Sequence, residues 1–142
     1  MQINNSYSLR KISEITGGKC YGDVDVKIKN IHFDSRRFAE DHNHLFIAFK
    51  TSNDDGHAYL EKVYKLGVKQ FLTHKKPKKI QKNAGYLVVE NTLTALQTWA
   101  SFHRLKFKIP VLAITGSFGK TIIKEWIYFL IHRKIKTLRS PK

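Results

Sequence analysis

The stretch Val111-Leu112-Ala113-Ile114-Thr115-Gly116-Ser117-Phe118-Gly119-Lys120-Thr121 constrains this chain more than any other. A short apolar run of strand character leads into a turn with two glycines. The turn runs into Ile122-Ile123-Lys124-Glu125-Trp126-Ile127, which reads as a helix. A strand, a tight glycine turn and a helix N-terminus are the parts of a phosphate cradle, because glycine lets main-chain N–H groups approach phosphate oxygens with no side chain between. Lys120 can reach outer phosphates, and the Thr121 hydroxyl is placed to hold a magnesium ion. The standard phosphate-loop spacing puts a first glycine where this chain has Ile114, so what remains is the shorter Thr-Gly-x-x-Gly-Lys-Thr. An ordinary strand-turn-helix corner is the alternative for such a string, and the flanking strand and helix patterns weigh against it.

At 142 residues the chain can hold one ordinary domain, or a small domain plus part of another. Hydrophobic residues make up 42%, enough for a core. No apolar run approaches the ~20 residues that span a bilayer, and the first ten residues lack the apolar segment of a secretory signal. Cys20 is the single cysteine, so no internal disulfide can form, which fits a reducing cytoplasm. The formal charge of +15 raises nucleic acid or an anionic surface as a partner, but it also fits an enzyme of polyphosphate ligands or a lysine-rich solvated surface.

Along the chain, Ser8 to Thr16 has helical spacing, with Ser8 as N-cap and Gly17-Gly18 as the stop. Strands are expected at 19–21, 25–31, 45–49, 68–73 and 86–90, with a helix at 58–66 closed by Gly67. Asn91 or Thr92 caps a longer helix, 93–106, whose stripe is Leu93, Leu96, Trp99, Ala100 and His103. Phe107 to Pro110 reads as a hinge, which divides the chain into domains at 1–106 and 107–142. The helix after the glycine turn is apolar over more than half its girth and is expected to be buried on two sides, and 137–139 should begin another strand. A β-loop-α unit at the start of a parallel sheet cannot bury both faces alone. The last ~35 residues are too few for an independent nucleotide-binding domain, so the chain is expected to be the N-terminal piece of a longer enzyme.

A second candidate site is Asp34-Ser35-Arg36 at a strand's end, with Asp55-Gly56-His57 further on. Arginine and a hydroxyl at a strand end suit a diphosphate or sugar nucleotide, and Gly56 allows close backbone approach. Each tripeptide alone reads better as a satisfied surface loop. His42 and His44 are two apart and the other five histidines are scattered. No metal-ligand spacing results, so structural or solvent-exposed roles are expected.

Together these motifs carry a resemblance. The loop at 115–121 resembles the ATP-binding loop of the Mur ligase family, the cytoplasmic enzymes that build the peptide of the cell-wall precursor. Members typically read Thr-Gly-(Ser/Thr)-Asn-Gly-Lys-Thr, so Phe118 departs from the family residue. The order Ile31, Asp34-Ser35-Arg36, Leu45-Phe46, Ala48, Asp55-Gly56-His57, then a helix ending in Gly67-Val68, is similar to the family's N-terminal domain. It looks most like the branch that joins D-alanyl-D-alanine to UDP-N-acetylmuramoyl-tripeptide. The resemblance implies an α/β fold: a small mixed domain for the UDP end of the substrate, then the first β-loop-α unit of a parallel-sheet central domain. It implies ATP and Mg2+ held at Thr115, Gly116, Ser117, Phe118, Gly119, Lys120, Thr121 and Ile122, with Lys120 acting in catalysis and Thr121 on the metal. It implies substrate contacts from Ser35, Arg36, Phe46, Ala48, Asp55, Gly56 and His57. UDP-N-acetylmuramoyl-peptide and D-alanyl-D-alanine are then the full enzyme's substrates, and neither a membrane nor nucleic acid is an expected partner. The acidic magnesium ligand, modified lysine and amine-binding domain that the family also needs lie outside these residues, so no ligase activity is expected of this chain alone. The alternatives are a basic nucleic-acid-binding module, resting on the clusters at 75–82 and 133–142, and a non-catalytic nucleotide-binding regulator.

Overall fold

The computed structural model describes residues 2–34, 43–52 and 54–141. The chain divides into two compact units, 1–107 and 108–142, each taken by itself below.

The first unit is built on a six-stranded sheet in the order β1-β3-β4-β5-β6-β2. Its strands are β1 (Gln2–Tyr7), β2 (Lys19–Gly22), β3 (Ile28–His32), β4 (His44–Ile47), β5 (Gln70–Thr73) and β6 (Gly85–Val88). β3 to β6 run parallel, while β1 and β2 pair antiparallel at the two borders. The sequence pattern had no signal for β1: QINNSY is polar, and pairing with β3 supplies what propensity does not.

Helix α1 (Leu9–Thr16) starts and stops where its caps dictate. The Ser8 hydroxyl accepts the Lys11 N–H, and Gly17, at φ 74°, donates its N–H to the Ser13 carbonyl. A 3-10 turn, Gly56–Tyr59, leads into α2 (Leu60–Lys65). The Asn91 side chain accepts from Leu93 and Thr94 N–H at the start of α3 (Thr92–Leu105).

Alternation along the parallel strands sends side chains to opposite faces. Leu45, Ile47, Leu72 and Leu87 join Leu9 and Ile12 of α1 and Ala95 and Trp99 of α3 on one side. Phe46, Ala48, Phe71 and Tyr86 join Val63 of α2 on the other. The buried side of α3 is Thr92, Ala95 and Trp99, whereas Leu93 is exposed, so the stripe read from sequence is rotated. Gly85 takes β6 against the Asp23 carbonyl: a Cβ there would lie 1.9 Å from that oxygen. Gly85→Ala is therefore expected to destabilise this unit by about 3 kcal/mol or more, since the obstacle is main chain that cannot rotate away. A urea melt checks it.

In the second unit, α4 (Lys120–Ile131) follows the glycine turn. The strands expected at 111–114 and 137–139 do not form, and among the described residues these segments join no ladder. A strand exists only through a hydrogen-bonded neighbour, and this unit supplies none. α4 has no buried residue, which corrects the expectation that it is covered on two sides.

Candidate functional site

The carboxyl ends of parallel strands are where open α/β sheets bind ligands, because loops diverge there and leave crevices. Two clefts lie at that edge. One, of about 690 Å³, is lined by Phe33, Asp34, Phe49, Gly56, Tyr59 and Lys62 among others. The other, of about 610 Å³, is lined by Lys50, His74, Glu90, Asn91 and Thr92. Phe49 and Thr51 border both. The Phe33 and Phe49 rings lie 5.4 Å apart and form an apolar wall.

The structure gives Asp55, Gly56 and His57 a clear architectural task beside the first cleft. Asp55 Oδ1 accepts the His57 main-chain N–H at 3.0 Å and the His57 Nδ1–H at 2.6 Å. His57 Nε2 accepts the His74 N–H at 3.1 Å, which fixes the imidazole as the Nδ1–H tautomer. The trio thus ties the loop after β4 to the end of β5. Gly56 donates its N–H to the Phe49 carbonyl at 2.7 Å, and a Cβ on Gly56 would meet that carbonyl oxygen at 2.9 Å. Gly56→Ala should destabilise the unit by about 1–3 kcal/mol, measurable as a lower urea midpoint.

Hydrogen bonds from the His57 main chain and ring hold the Asp55 carboxyl below its usual 3.8. Burial pushes the His74 imidazole below 6.5, with His57 and Lys75 adding to it; burial and His44 do the same to His32. The sign follows directly. Below pH 6.5 the unfolded histidines take up protons that the folded ones resist, so stability falls as pH drops through 6.5 towards the folded values. Asp55 adds a second loss below 3.8. Urea midpoints should be lower at pH 5.5 than at pH 7.5, and His74→Gln should narrow the gap.

Phe46 and Ala48 have wholly buried side chains packed in the α2-side core. Any contact they make with a ligand would be through main chain, as befits a strand end. Ser35 and Arg36 lie outside the described residues, as does His42. Sequence reasoning missed Phe33, Phe49 and Lys50: a single aromatic at a strand's end gives no signal until the neighbouring strand brings a second beside it.

In the second unit, Gly116 and Gly119 have φ of 150° and 76°, and Gly119 precedes α4 with no side chain capping the helix. A Cβ on Gly119 would meet nothing within 4 Å. The first-turn N–H groups of α4 thus start beside bare main chain. The Lys120 ammonium donates to the Gly116 carbonyl across the turn. Phe118 is 94% exposed, so its ring does not plug the bend. Among the described residues no group of three or more His, Cys, Asp or Glu could hold a metal, and Thr121 offers one hydroxyl.

No protein-family profile matches the chain. It is 36% identical over 135 residues to the UDP-N-acetylmuramoyl-tripeptide–D-alanyl-D-alanine ligase of Buchnera aphidicola, covering 95% of this chain and 28% of that one. Its fold superposes on MurF from Acinetobacter baumannii with a TM-score of 0.78 and 26% identity, covering 92% of this chain and 28% of the other. The chain belongs with the Mur ligases, over their N-terminal part. MurF ligase from Thermotoga maritima, solved in complex with ADP, matches at a TM-score of 0.61 and 26% identity over 74% of this chain and 23% of its own. The chain spans less than a third of the length of the curated Mur ligase relatives it matches first. Among the described residues no helix is long and apolar enough to cross a membrane.

Proposed function

We propose that this chain provides the UDP-substrate domain, 1–106, and the first ATP-binding unit, 107–142, of a ligase that joins D-alanyl-D-alanine to UDP-N-acetylmuramoyl-tripeptide in the cytoplasm. The observation that carries this reading is identity to one such ligase along nearly the whole chain. The clefts at the carboxyl edge of the sheet support it.

In this reading the uridine lies against Phe33 and Phe49, and Ser35 and Arg36 hold the diphosphate. Arginine suits that task because its planar fork matches two phosphate oxygens at once. Gly56 and the Phe46–Ala48 strand end contribute through main chain, while Asp55 and His57 hold the wall in place.

The turn before α4 fits a triphosphate: positive φ at two glycines, an uncapped helix start and a lysine at hand. Thr115 to Ile122 would cradle it, with Thr121 as one magnesium ligand. When bound, ATP supplies the phosphoryl group that activates the substrate carboxylate as an acyl phosphate, which the amine then attacks. Lys120 leaves the Gly116 carbonyl and stabilises charge on the outer phosphate oxygens. Phe118 points away from the bend, so a main-chain cradle tolerates it.

Titration of the chain with a UDP-sugar tests this. Saturable binding is expected, weakened about tenfold or more by Arg36→Ala, since losing a hydrogen bond to a charged group costs about 1.5–3 kcal/mol. Unchanged UDP-sugar affinity in that variant, or steeply salt-dependent binding of duplex DNA in its place, would sink the reading. Amide formation by the chain alone would overturn the expectation that it is inactive in isolation.

A further inference from the structure

Helical spacing decides which side chains α2 lends to the first cleft. Gly56, Tyr59 and Lys62 follow one another at three-residue intervals through the 3-10 turn and the first turn of α2, and all three line the cleft. Val63, the next residue along, is turned into the core with Phe46 and Phe71. Lys62 is therefore held at the rim of the cleft, away from the sheet.

The Lys62 ammonium forms no ion pair among the described residues. The acids nearby already have partners. Asp54 Oδ1 accepts the Tyr59 hydroxyl at 3.2 Å, and Asp55 holds His57 and lies 4.0 Å from Lys75. Glu61 is 3.3 Å from Lys65, so the other lysine of α2 is paired within its own helix. Lys62 is the member of that helix whose charge is left for something that enters the cleft.

The rest of the lining says what enters. The Phe33 and Phe49 rings suit a flat, weakly polar ring. The carboxylates of Asp34 and Asp54 accept hydrogen bonds, which suits the hydroxyls of a ribose and the imide N–H of a uracil, but not a phosphate. An ammonium has three donors and no acceptor, which suits a phosphate oxygen. A ligand that meets all of these demands has a ring, donor groups and an anionic end. At about 690 Å³ the cleft has room for a nucleotide.

We infer that Lys62 is a specificity-determining residue of this cleft: its ammonium takes a phosphate oxygen of the uridine diphosphate moiety, so that the cleft prefers the nucleoside diphosphate to the bare nucleoside. This rests on the UDP-substrate reading above and adds a second cation to the Arg36 named there. Lys62 is exposed, so water and salt screen its charge and its share is a modest one.

Calorimetric titration of the full chain with UDP and with uridine tests it. Lys62→Ala should weaken UDP binding about fivefold and leave uridine binding unchanged, so the preference for UDP shrinks by the same factor. Lys62→Arg should keep most of the UDP affinity, and high salt should narrow the gap between Lys62→Ala and the parent chain. Lys65→Ala, which loses only the pair with Glu61, should bind UDP as the parent does. Urea midpoints of the three variants should match the parent's, since neither lysine covers core. Unchanged UDP affinity in Lys62→Ala, with the parent binding UDP, would overturn the inference and leave the substrate reading standing. An equal loss for UDP and uridine would also overturn it, because the lysine would then touch the nucleoside and not the phosphates. A parent chain that binds neither UDP nor uridine would overturn the substrate reading itself, and the inference with it.

Discussion

Phe46→Ala should cost the first unit roughly 3–5 kcal/mol, the range for truncating a buried aromatic. Phe46 is 1% exposed and packs with Phe71, Tyr86 and Val63 beneath the sheet, on the central strand β4. Removing its ring leaves a void between β4 and α2 that the neighbouring parallel strands cannot close without shifting register. A loss of that size is comparable to the whole stability of many small domains. The urea midpoint should therefore collapse, and much of the protein should be unfolded at room temperature. The contrast with Arg36→Ala is the informative part. Phe46→Ala should lower the folded fraction yet leave UDP-sugar affinity per folded molecule nearly intact, whereas Arg36→Ala should do the reverse. If Phe46→Ala weakens affinity while the melt is unmoved, Phe46 belongs to the binding surface and its core assignment fails.

The second large effect is expected at Lys120. Its ammonium now holds the Gly116 carbonyl, an interaction with a neutral acceptor that is easily exchanged for a phosphate oxygen. A charge-assisted bond to phosphate is worth about 2 kcal/mol net, so Lys120→Ala should weaken ATP binding roughly 30-fold. Because the lysine reaches the outer phosphates, the preference for ATP over AMP should shrink with it. The fold should not suffer, since Lys120 sits exposed at the first turn of α4. Calorimetric titration of both nucleotides with the two proteins checks this, and equal ATP affinity would remove Lys120 from the cradle.

Much of the fold was legible because its signals are local. Ser8 and Gly17 bracket α1 through their own hydrogen bonds, and Asn91 starts α3 through the amides of Leu93 and Thr94. β4 and β6 announced themselves as apolar runs, as strands buried on both faces do, and β3 by its alternation. β1 was missed because its partner lies more than twenty residues away and its residues carry no alternation. The strand expected at 111–114 was misread for the converse reason: Val111-Leu112-Ala113-Ile114 has the composition, but pairing is a property of two segments, and Val111 and Leu112 stay 68% exposed.

At the candidate site, Asp55, Gly56 and His57 were found as a motif, but its first work is structural. His57 bridges Asp55 and the His74 amide, which ties the loop after β4 to the end of β5. The Phe33–Phe49 wall, formed by residues just past the ends of adjacent strands, could not be read from one line of sequence.

The placement of β1 and β2 on opposite borders has a temporal side. The first 22 residues supply both outermost strands, with α1 carrying the chain from one border to the other. During synthesis this segment leaves the ribosome before the rest of the sheet, and β2 has no partner until β6 at residues 85–88 has been made. At ordinary elongation rates that delay is on the order of ten seconds. For that interval α1 has no sheet to lie on, and the apolar side chains of Leu9 and Ile12 stay open to whatever chaperone or neighbouring nascent chain reaches them before β6 arrives.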